Sequence, residues 1–316
     1  MRGTNFTLLN SAILLILSTL FIITQAEATI ISDALSSLYE IDSSQGEIAI
    51  MWLGNHQKGE LQGYASAGFV VKTSQNVIVI DPSNLLSDDL DALEKVDAIL
   101  ITHDHGDHFN IDSTIMIQKK TGAYVVANPP AFSSLQEQIS DDKLIEMMQD
   151  MTVSLDGISV KAFAGEHPSE KPLLYVIEFD GFRIFHGSDS GFVEDLKNIE
   201  SRVHVAFVPA GDPSPTASPS DAFEMTKATN PYVVIPMHGT PEQMQKFAEI
   251  VKDSEIRTNV IIPTALEVII PVEVVPDFPS IGLVMIVSFL VMLSMVLALK
   301  KKQHALFPYT KINTDI

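Results

Sequence analysis

The sequence predicts an α/β (α+β) domain in which two β-sheets pack face to face and helices cover the outside. The first observation is a series of short apolar runs, rich in Val and Ile and separated by Gly, Pro, Asn and Asp, that begins near Gly46. Such runs are typical of β-strands. The second is their order, in which hairpins precede strands that alternate with helices, and this order occurs twice. Two packed sheets with outer helices satisfy that order.

The first half of this domain contains four predicted strands and one predicted helix. The strands are Glu47–Leu53, Tyr64–Lys72, Val77–Ile80 and Ala98–Ile101, and helical spacing of apolar residues covers Leu85–Leu93. The preceding residues 29–45 are mixed and mildly helical, and no role is assigned to them. We therefore place the start of the domain at residue 46.

The second half repeats the pattern with two hairpins. Asp156-Gly157 and Asp180-Gly181 are turn signals between apolar runs. The elements predicted here are, in order, strand Ala123–Ala127, helix Asp141–Met148, hairpin Val153–Phe163, strands Leu173–Phe179 and Phe182–Phe185, strand Val203–Val208, a helix over 220–228, strand Tyr232–Ile235 and helix Pro241–Val251. The domain is expected to end at residue 265.

The composition limits both the partners and the chemistry. Asp and Glu number 40 against 20 Lys and Arg, which gives a formal net charge of −20. A surface this acidic repels polyanions, so the sequence argues against DNA or RNA as a partner. The chain contains no cysteine. Disulfides are therefore excluded, and any bound metal must be held by nitrogen and oxygen.

The N-terminal residues 1–28 have the layout of a secretory signal peptide. Arg2 precedes an apolar stretch from Leu8 to Ile23, and Ala26-Glu27-Ala28 is a small-x-small cleavage motif. The alternative is an uncleaved N-terminal anchor, because the apolar stretch is nearly long enough to span a bilayer.

A second apolar stretch lies near the C-terminus. Residues 280–299 carry no charge and are followed by Lys300-Lys301-Lys302. At the helical rise this length spans about 30 Å, the thickness of one hydrocarbon core. We expect a Pro-rich stalk over 266–279, a transmembrane helix over 280–299 and a cytoplasmic tail over 300–316, because basic clusters favour the cytoplasmic side. The protein is then a single-pass protein of the cell membrane, with the domain at residues 46–265 on the cell surface.

The most informative motif is the run Thr-His-Asp-His-Gly-Asp-His at 102–108. Imidazole and carboxylate together suit zinc and related ions, and neither packs well in an apolar core. In an extended segment residues i and i+2 point the same way, so His103 and His105 can hold one ion. Gly106 lets the backbone turn, so that Asp107 and His108 can reach a second ion. The alternative is a polar loop whose histidines are solvated.

Four further candidates lie just beyond predicted strands, where loops above a rigid sheet commonly build a site. They are Asp81, His167, Asp189 and His238. Each is weak evidence alone, since a histidine after a strand is more often a surface residue. His56, His186 and His204 are interpreted in that way, with His186 at most supporting the site from behind.

This combination resembles the metallo-β-lactamase superfamily. The hallmark His-x-His-x-Asp-His is present at 103–108, and the superfamily's earlier Asp, third His, bridging Asp and final His correspond to Asp81, His167, Asp189 and His238. The context of Asp189, Gly-Ser-Asp-Ser, has one residue inserted. The resemblance covers residues 46–265 and implies a four-layer αβ/βα sandwich with a two-metal site at the sheet edges. It is strongest to the subgroup of L-ascorbate-6-phosphate lactonase and related archaeal and bacterial metal-dependent hydrolases.

The resemblance implies two divalent metal ions and a complete set of ligands for them. His103, His105 and His167 would hold the first ion, Asp107, His108 and His238 the second, and Asp189 would bridge both. Asp81 would orient the histidine loop through hydrogen bonds. Zinc is the default ion for such ligands, and manganese, associated with the lactonase subgroup, is the alternative.

The implied activity is hydrolysis of a small-molecule ester, lactone or phosphoester. A hydroxide shared by the two ions would attack the substrate, with Asp107 and Asp189 as the catalytic carboxylates. Asp107 could also relay a proton. Two alternatives remain open. One is a membrane-facing phospholipid phosphodiesterase, because the anchor would hold the site near lipid, and the other is a surface binding protein that keeps the metal without turnover. The sequence predicts no oligomeric state.

Overall fold

A computed structural model describes residues 31–44, 46–54, 67–83, 85, 90–271 and 274. The chain divides into two compact units, Met1–Pro276 and Asp277–Ile316, and every described residue belongs to the first unit. The predicted signal peptide, transmembrane helix and cytoplasmic tail lie outside the described residues. Within the described part of the chain, no helix has the length and apolar character needed to cross a bilayer.

The first sheet has seven strands and is mixed. Its order is β14-β1-β2-β3-β4-β5-β6. The strands are β1 (Ala49–Trp52), β2 (Phe69–Lys72), β3 (Val77–Ile80), β4 (Ala98–Ile101), β5 (Tyr124–Ala127), β6 (Leu144–Glu146) and β14 (Val268–Ile269). Strands β14, β1, β2 and β3 pair antiparallel, and β3 to β6 pair parallel. The parallel half therefore sends successive strand ends to one edge.

The second sheet also has seven strands, in the order β13-β12-β11-β10-β9-β8-β7. The strands are β7 (Thr152–Leu155), β8 (Ile158–Ala164), β9 (Leu173–Phe179), β10 (Phe182–His186), β11 (Val205–Pro209), β12 (Val233–Met237) and β13 (Asn259–Val260). Strands β7 to β10 form an antiparallel meander, whereas β10 to β13 are parallel. Because β8 and β10 are both antiparallel to β9, the strands β8, β10 and β12 all run in the same direction.

In the described part of the chain, five α-helices flank the sheets. They are α1 (residues 31–40), α2 (Ile111–Thr121), α3 (Pro129–Leu135), α4 (Pro219–Thr229) and α5 (Pro241–Lys252). Side chains of α1, α2 and α3, such as Leu35 and Ile117, share one apolar cluster with Val79 and Ile99 of the first sheet. Helices α4 and α5 contact β11 and β12 of the second sheet.

The inner faces of the two sheets pack against each other, and the outer face of the first sheet packs against helices. Phe69 of the first sheet stacks on Phe207 of the second, with ring centroids 3.9 Å apart. Their cluster also contains Ile78 and Leu100, which alternate along their strands with Val79 and Ile99 of the outer cluster. Alternation of this kind shows that the strands are buried on both faces. The predicted α/β sandwich of two sheets with outer helices is confirmed.

Two predicted helices are corrected by the structure. The segment Asp141–Met148, predicted as a helix, contains strand β6, because Leu144 and Met147 are buried beside β5 and the Met147 N–H donates to the Ala127 carbonyl at 2.8 Å. Pairing with a neighbouring strand here outweighs helical spacing. In the predicted helix Leu85–Leu93, the described residues contain only the 3₁₀ turn Leu90–Ala92.

The sequence patterns also missed several elements. Helices α2 and α3 were not predicted, and residues 31–40 form a full helix where only mild helicity was expected. Strand β14 lies inside the segment 266–279 that was predicted as a stalk, and it pairs with β1 through Ile50 and Ile269. The branched pair Val268-Ile269 favours a strand, and Pro271 follows it. The domain therefore extends beyond residue 265.

Asp180, in the turn between β9 and β10, is hydrogen-bonded to the turn between β2 and β3. Its carboxylate accepts hydrogen bonds from Asn76 Nδ2 at 2.9 and 3.0 Å, and from Thr73 Oγ1. We expect Asp180→Ala to lower the free energy of unfolding by about 1–3 kcal/mol, because Asn76 and Thr73 lose a charged acceptor. Urea denaturation measures the change.

Asp150→Ala is the matched control for this substitution. Asp150 also has a left-handed backbone, with φ of 65° against 51° for Asp180, so both variants carry the same backbone cost. Its carboxylate is exposed and lies 3.5 Å from the adjacent Gln149 side chain. Equal destabilisation by the two variants would show that Asp180 does not hold the turns together.

Candidate metal centre

The residues singled out in the sequence gather at one edge of the sandwich. Asp81 follows β3, and the run 102–108 follows β4. In the second sheet His167, Asp189 and His238 come after β8, β10 and β12. Parallel strands deliver their carboxyl ends to the same edge, so one edge of each sheet contributes loops to the same place.

Three of these loops change direction at a residue with an unusual backbone conformation. Asp81, Ser188 and His238 have φ angles of 47°, 54° and 39° in the left-handed region. Such conformations are uncommon outside glycine and frequently occur at functional sites. At Gly187 a Cβ atom would lie 2.8 Å from Pro209 Cδ and 3.1 Å from Met225 Sδ. The turn that presents Asp189 therefore requires glycine at position 187.

The structure brings seven predicted ligands together in two groups that share Asp189. One group contains His103, His105, His167 and Asp189, and the other contains Asp107, His108, Asp189 and His238. Within each group the candidate ligand atoms all lie within 4.8 Å of one another. This is the division into two sets that the resemblance to the metallo-β-lactamase superfamily implies.

Imidazole nitrogens converge within both groups. His167 Nε2 lies 3.0 Å from His105 Nδ1, and His238 Nε2 lies 3.1 Å from His108 Nε2. The carboxylate of Asp189 is 3.3 Å from His167 Nε2 and 3.7 Å from His108 Nε2. It therefore lies between the two groups.

Several buried ligand atoms have no hydrogen-bond partner among the described residues. They include His103 Nε2 and Asp189 Oδ1. A buried polar atom without a partner costs free energy, so a cluster of them at one point indicates a missing charged ligand. Nitrogen and carboxylate donors without thiolate suit zinc, manganese or iron. The residues present therefore fit bound divalent metal.

The buried carboxylate of Asp81 organises the histidine loop from behind. Its two oxygens accept hydrogen bonds from the Thr102 N–H at 2.8 Å and from Thr102 Oγ1 at 2.7 Å, and Oδ2 lies 2.8 Å from His108 Nδ1. When Nδ1–H donates to Asp81, the lone pair of His108 Nε2 is left to face His238. A carboxylate behind a ligand histidine commonly fixes the imidazole in this way.

Asp189 is also supported from behind. Its carbonyl accepts hydrogen bonds from Ser214 Oγ at 2.8 Å and Thr216 Oγ1 at 3.3 Å. His186, which the sequence offered only as a supporting residue, is buried and accepts from the Ser188 N–H at 3.1 Å, while its Nε2 lies 2.8 Å from the Ala67 carbonyl. Ser214 and Thr216 were missed by sequence reasoning, although their Pro-Ser-Pro-Thr context directly follows a predicted strand.

The electrostatics of the metal-free centre distinguish His108 from three other histidines. Burial disfavours a charged His108, but the Asp81 carboxylate, its hydrogen bond to Nδ1 and the Asp189 carboxylate 3.7 Å from Nε2 outweigh burial and raise the pKa of His108 to about 10. Burial raises the pKa of Asp189, yet the nearby His108 and His238 outweigh it and lower that pKa to about 2. Asp189 therefore stays ionised at neutral pH.

Three other histidines of the centre, His103, His167 and His238, are held neutral. Burial lowers the pKa of His238 to about 4. Burial, together with repulsion from the neighbouring histidines, lowers the pKa of His103 well below its ordinary value, and burial also lowers the pKa of His167. Neutral imidazole is the form that binds a metal ion.

A cavity of about 390 Å³ opens onto the centre. Its lining includes four of the candidate ligands and three prolines, namely His105, Asp107, His167, Asp189, Pro168, Pro213 and Pro215. The remaining ligands are deeper, since His103, His108 and His238 are fully buried. His204 packs against Phe182 and Tyr232 and belongs to neither ligand group, and His56 lies outside the described residues.

Comparison with known proteins agrees with this fold. A family model described as "beta-lactamase superfamily domain" matches residues 60–238, more than half of the chain. The chain belongs to the beta-lactamase superfamily. The matched region contains all seven candidate ligands and Asp81.

Relatives of this superfamily protein include named hydrolases. A UPF0173 protein of Pyrococcus abyssi is 36% identical over 177 residues, which cover 55% of this chain and 80% of the relative. A UPF0173 metal-dependent hydrolase of Thermoplasma acidophilum is 32% identical over 197 residues, covering 57% and 82%. The prediction of a metal-dependent hydrolase of this superfamily is confirmed by these matches.

Solved structures with low sequence identity share the fold. A metallo hydrolase of the archaeon Ignicoccus hospitalis matches with a TM-score of 0.59 and 22% identity, over 71% of this chain and 98% of that chain. The metallo-beta-lactamase fold protein YhfI of Bacillus subtilis matches with a TM-score of 0.57 and 13% identity, over 71% and 100%. At these identities the likeness shows the fold alone.

The pKa of about 10 for His108 predicts proton release when metal binds. At pH 7 metal-free His108 carries a proton that must leave before Nε2 can bind an ion, whereas His103 and His238 are already neutral. We expect metal binding to release about one proton from His108, and metal affinity to rise as pH increases from 7 towards 10. Calorimetry in buffers of different ionisation enthalpy measures the number released.

Asp81→Asn isolates the cause of this release. Without the Asp81 charge the pKa of His108 falls, so fewer protons should be released at pH 8 than from the unchanged protein. Asp104→Asn is the matched control, because Asp104 is an exposed carboxylate of the same loop and belongs to neither ligand group. Equal proton release from all three proteins would contradict the assignment to His108.

Proposed function

We propose that the protein is a hydrolase that holds two divalent ions and acts on a small-molecule ester, lactone or phosphoester. One ion would be bound by His103, His105 and His167, the other by Asp107, His108 and His238, with Asp189 shared between them. The observation that carries this proposal is the pair of ligand groups that meet at Asp189, with unpartnered buried atoms at His103 Nε2 and Asp189 Oδ1. The names of the hydrolase relatives support it.

The residues of the centre have separate tasks in this reaction. Bound divalent ions would supply activation of water and polarisation of the substrate's reacting oxygen. Asp189 remains a carboxylate at neutral pH and keeps both ligand groups together. Asp107 lines the cavity with its side chain 22% exposed, so its carboxylate can accept a proton from water or pass one to the leaving group. Asp81 holds His108 in one orientation.

Zinc is the ion we propose first, with manganese as the alternative. The donor set of nitrogen and carboxylate oxygen accepts either. Within the superfamily we place the reaction near that of the lactonase subgroup, the opening of a lactone ring, because the motifs around Asp81, His103 and His238 are most similar to those of that subgroup. Elemental analysis of the protein purified without added metal distinguishes the two ions.

We also propose that the protein is a single-pass membrane protein with this domain outside the cell. The support is the uncharged segment 280–299 with its following lysines and the apolar segment near the N-terminus. Protease added to intact cells should then remove the domain, and the protein should stay in the membrane fraction after carbonate washing. Recovery in the soluble fraction would contradict this placement.

Substitution of single ligands tests the hydrolase. We expect His105→Ala and Asp189→Ala to abolish hydrolysis in a screen of lactones, esters and phosphoesters, including phospholipid in vesicles, because each removes a ligand from the shared centre. Circular dichroism should show that the fold is retained. Asp104→Ala, in the same loop but in neither ligand group, is the control that should keep activity.

Retained activity in His105→Ala or Asp189→Ala would exclude the two-ion centre. Turnover of phospholipid in vesicles but of no soluble substrate would favour the lipid hydrolase instead. Metal binding without turnover of any substrate would favour a surface binding protein.

A further inference from the structure

The cavity above the metal centre has an apolar wall made of proline rings. Pro168, Pro213 and Pro215 line it, next to the carboxylate and imidazole groups of the floor. All three prolines are exposed to solvent. Proline rings are rigid, so this wall presents the same apolar surface with and without a bound molecule.

Hydrogen bonds tie this wall directly to the metal centre. Ser214, between Pro213 and Pro215, is only 5% exposed, and its hydroxyl donates to the Asp189 carbonyl at 2.8 Å. The same hydroxyl oxygen accepts from the Ala217 N–H at 3.1 Å and so closes the loop behind the prolines. The wall therefore has a fixed distance from the reacting groups.

A second anchor holds the start of the same loop. Gln243 Oε1 accepts from the Asp212 N–H at 3.1 Å and from the Thr240 N–H at 2.8 Å. Thr240 follows the His238 loop as the N-cap of α5. The loop that carries Pro213 and Pro215 is thus fastened to the segments of both Asp189 and His238.

The charges around the cavity disfavour a strongly anionic substrate. Among the described lining residues none is Lys or Arg, and two, Asp107 and Asp189, are acidic. Exposed carboxylates also occur next to the lining residues, at Asp104, Glu166 and Asp212. Phosphate groups are normally held by Arg, Lys or helix N-termini. The part of a substrate that does not reach the metal centre meets proline rings and negative charge.

We propose that the natural substrate is an uncharged carboxylic ester or lactone whose short apolar acyl chain rests on the proline wall. This inference rests on the proposed hydrolase function and narrows its substrate classes by excluding phosphoesters. Water adds its OH to the acyl carbon, the bond from that carbon to the alkoxy oxygen breaks, and the alkoxy oxygen takes the remaining proton. The products are a carboxylic acid, which ionises, and an alcohol.

The dependence of kcat/KM on acyl-chain length tests whether the acyl chain binds to the proline wall. With the full-length protein in detergent, loaded with zinc or manganese, we compare 4-nitrophenyl acetate, butyrate and phosphate. A fully buried methylene contributes about a fourfold change, so two should give up to about sixteenfold higher kcat/KM for butyrate than for acetate. We expect the phosphate monoester to be at least about tenfold poorer than butyrate. Equal rates on acetate and butyrate, or a preference for the phosphate, would overturn the inference.

Variants of the wall test which residues cause the preference. Pro168→Ser and Pro215→Ser remove a ring without adding charge, and each should reduce the ratio of kcat/KM on butyrate to kcat/KM on acetate. Pro219→Ser is the matched control, because Pro219 begins α4 and is not among the residues that line the cavity. An unchanged ratio in both wall variants would overturn the assignment of the acyl chain to this wall.

Binding of reaction products separates this inference from the proposed function. Calorimetry with acetate, butyrate and hexanoate on the metal-loaded protein should show affinity that increases with chain length and that decreases in Pro215→Ser. If no ester, lactone or phosphoester is hydrolysed but this trend is present, the proposed hydrolase function is contradicted and binding of the acyl chain to the proline wall is supported. If esters are hydrolysed without any dependence on chain length in rate or binding, the hydrolase function is supported and the binding of the acyl chain to the wall is contradicted.

Discussion

The buried carboxylate of Asp81 is the constraint on which the metal centre depends. It has no contact with water, so its charge must be compensated by neighbours. Thr102 supplies two hydrogen bonds and His108 lies 2.8 Å away, which fixes both ends of the histidine motif against β3. Because β3 and β4 are parallel neighbours, this arrangement costs no distortion of the sheet. The ligand loop is therefore positioned by the core of the domain.

The second sheet contributes the other three candidate ligands. They come from loops after separate strands, and hydrogen bonds fix the loop of Asp189. Ser214 binds the carbonyl of Asp189, and His186 binds both the Ser188 N–H and the Ala67 carbonyl. These contacts hold the segment of Asp189 in place, and the loop of Ser214 also carries Pro213 and Pro215 of the proline wall. The candidate ligand Asp189 and this part of the wall are thus joined by hydrogen bonds.

Local sequence patterns correctly predicted the elements whose structure depends on residues close together in the sequence. The hairpins at Asp156-Gly157 and Asp180-Gly181 were predicted correctly, because Asp-Gly turns between apolar runs define them. Strand β6 was predicted as a helix because only contact with β5 makes Leu144–Glu146 extended. Strand β14, within a Pro-rich segment, was not predicted because its extended conformation depends on pairing with β1. Each of these two short strands depends on a partner distant in the sequence.

The sequence alone determined the chemistry of the donors. Three histidines and two aspartates within 103–108, and a chain without cysteine, restrict any metal to nitrogen and oxygen ligands. It also singled out Asp81, His167, Asp189 and His238. Only the tertiary structure decided that these residues meet in two groups sharing Asp189, and that Pro168, Pro213 and Pro215 face the same cavity. The reason is physical: residue type sets what a side chain can bind, whereas strand direction and loop packing set which side chains lie within reach of one another.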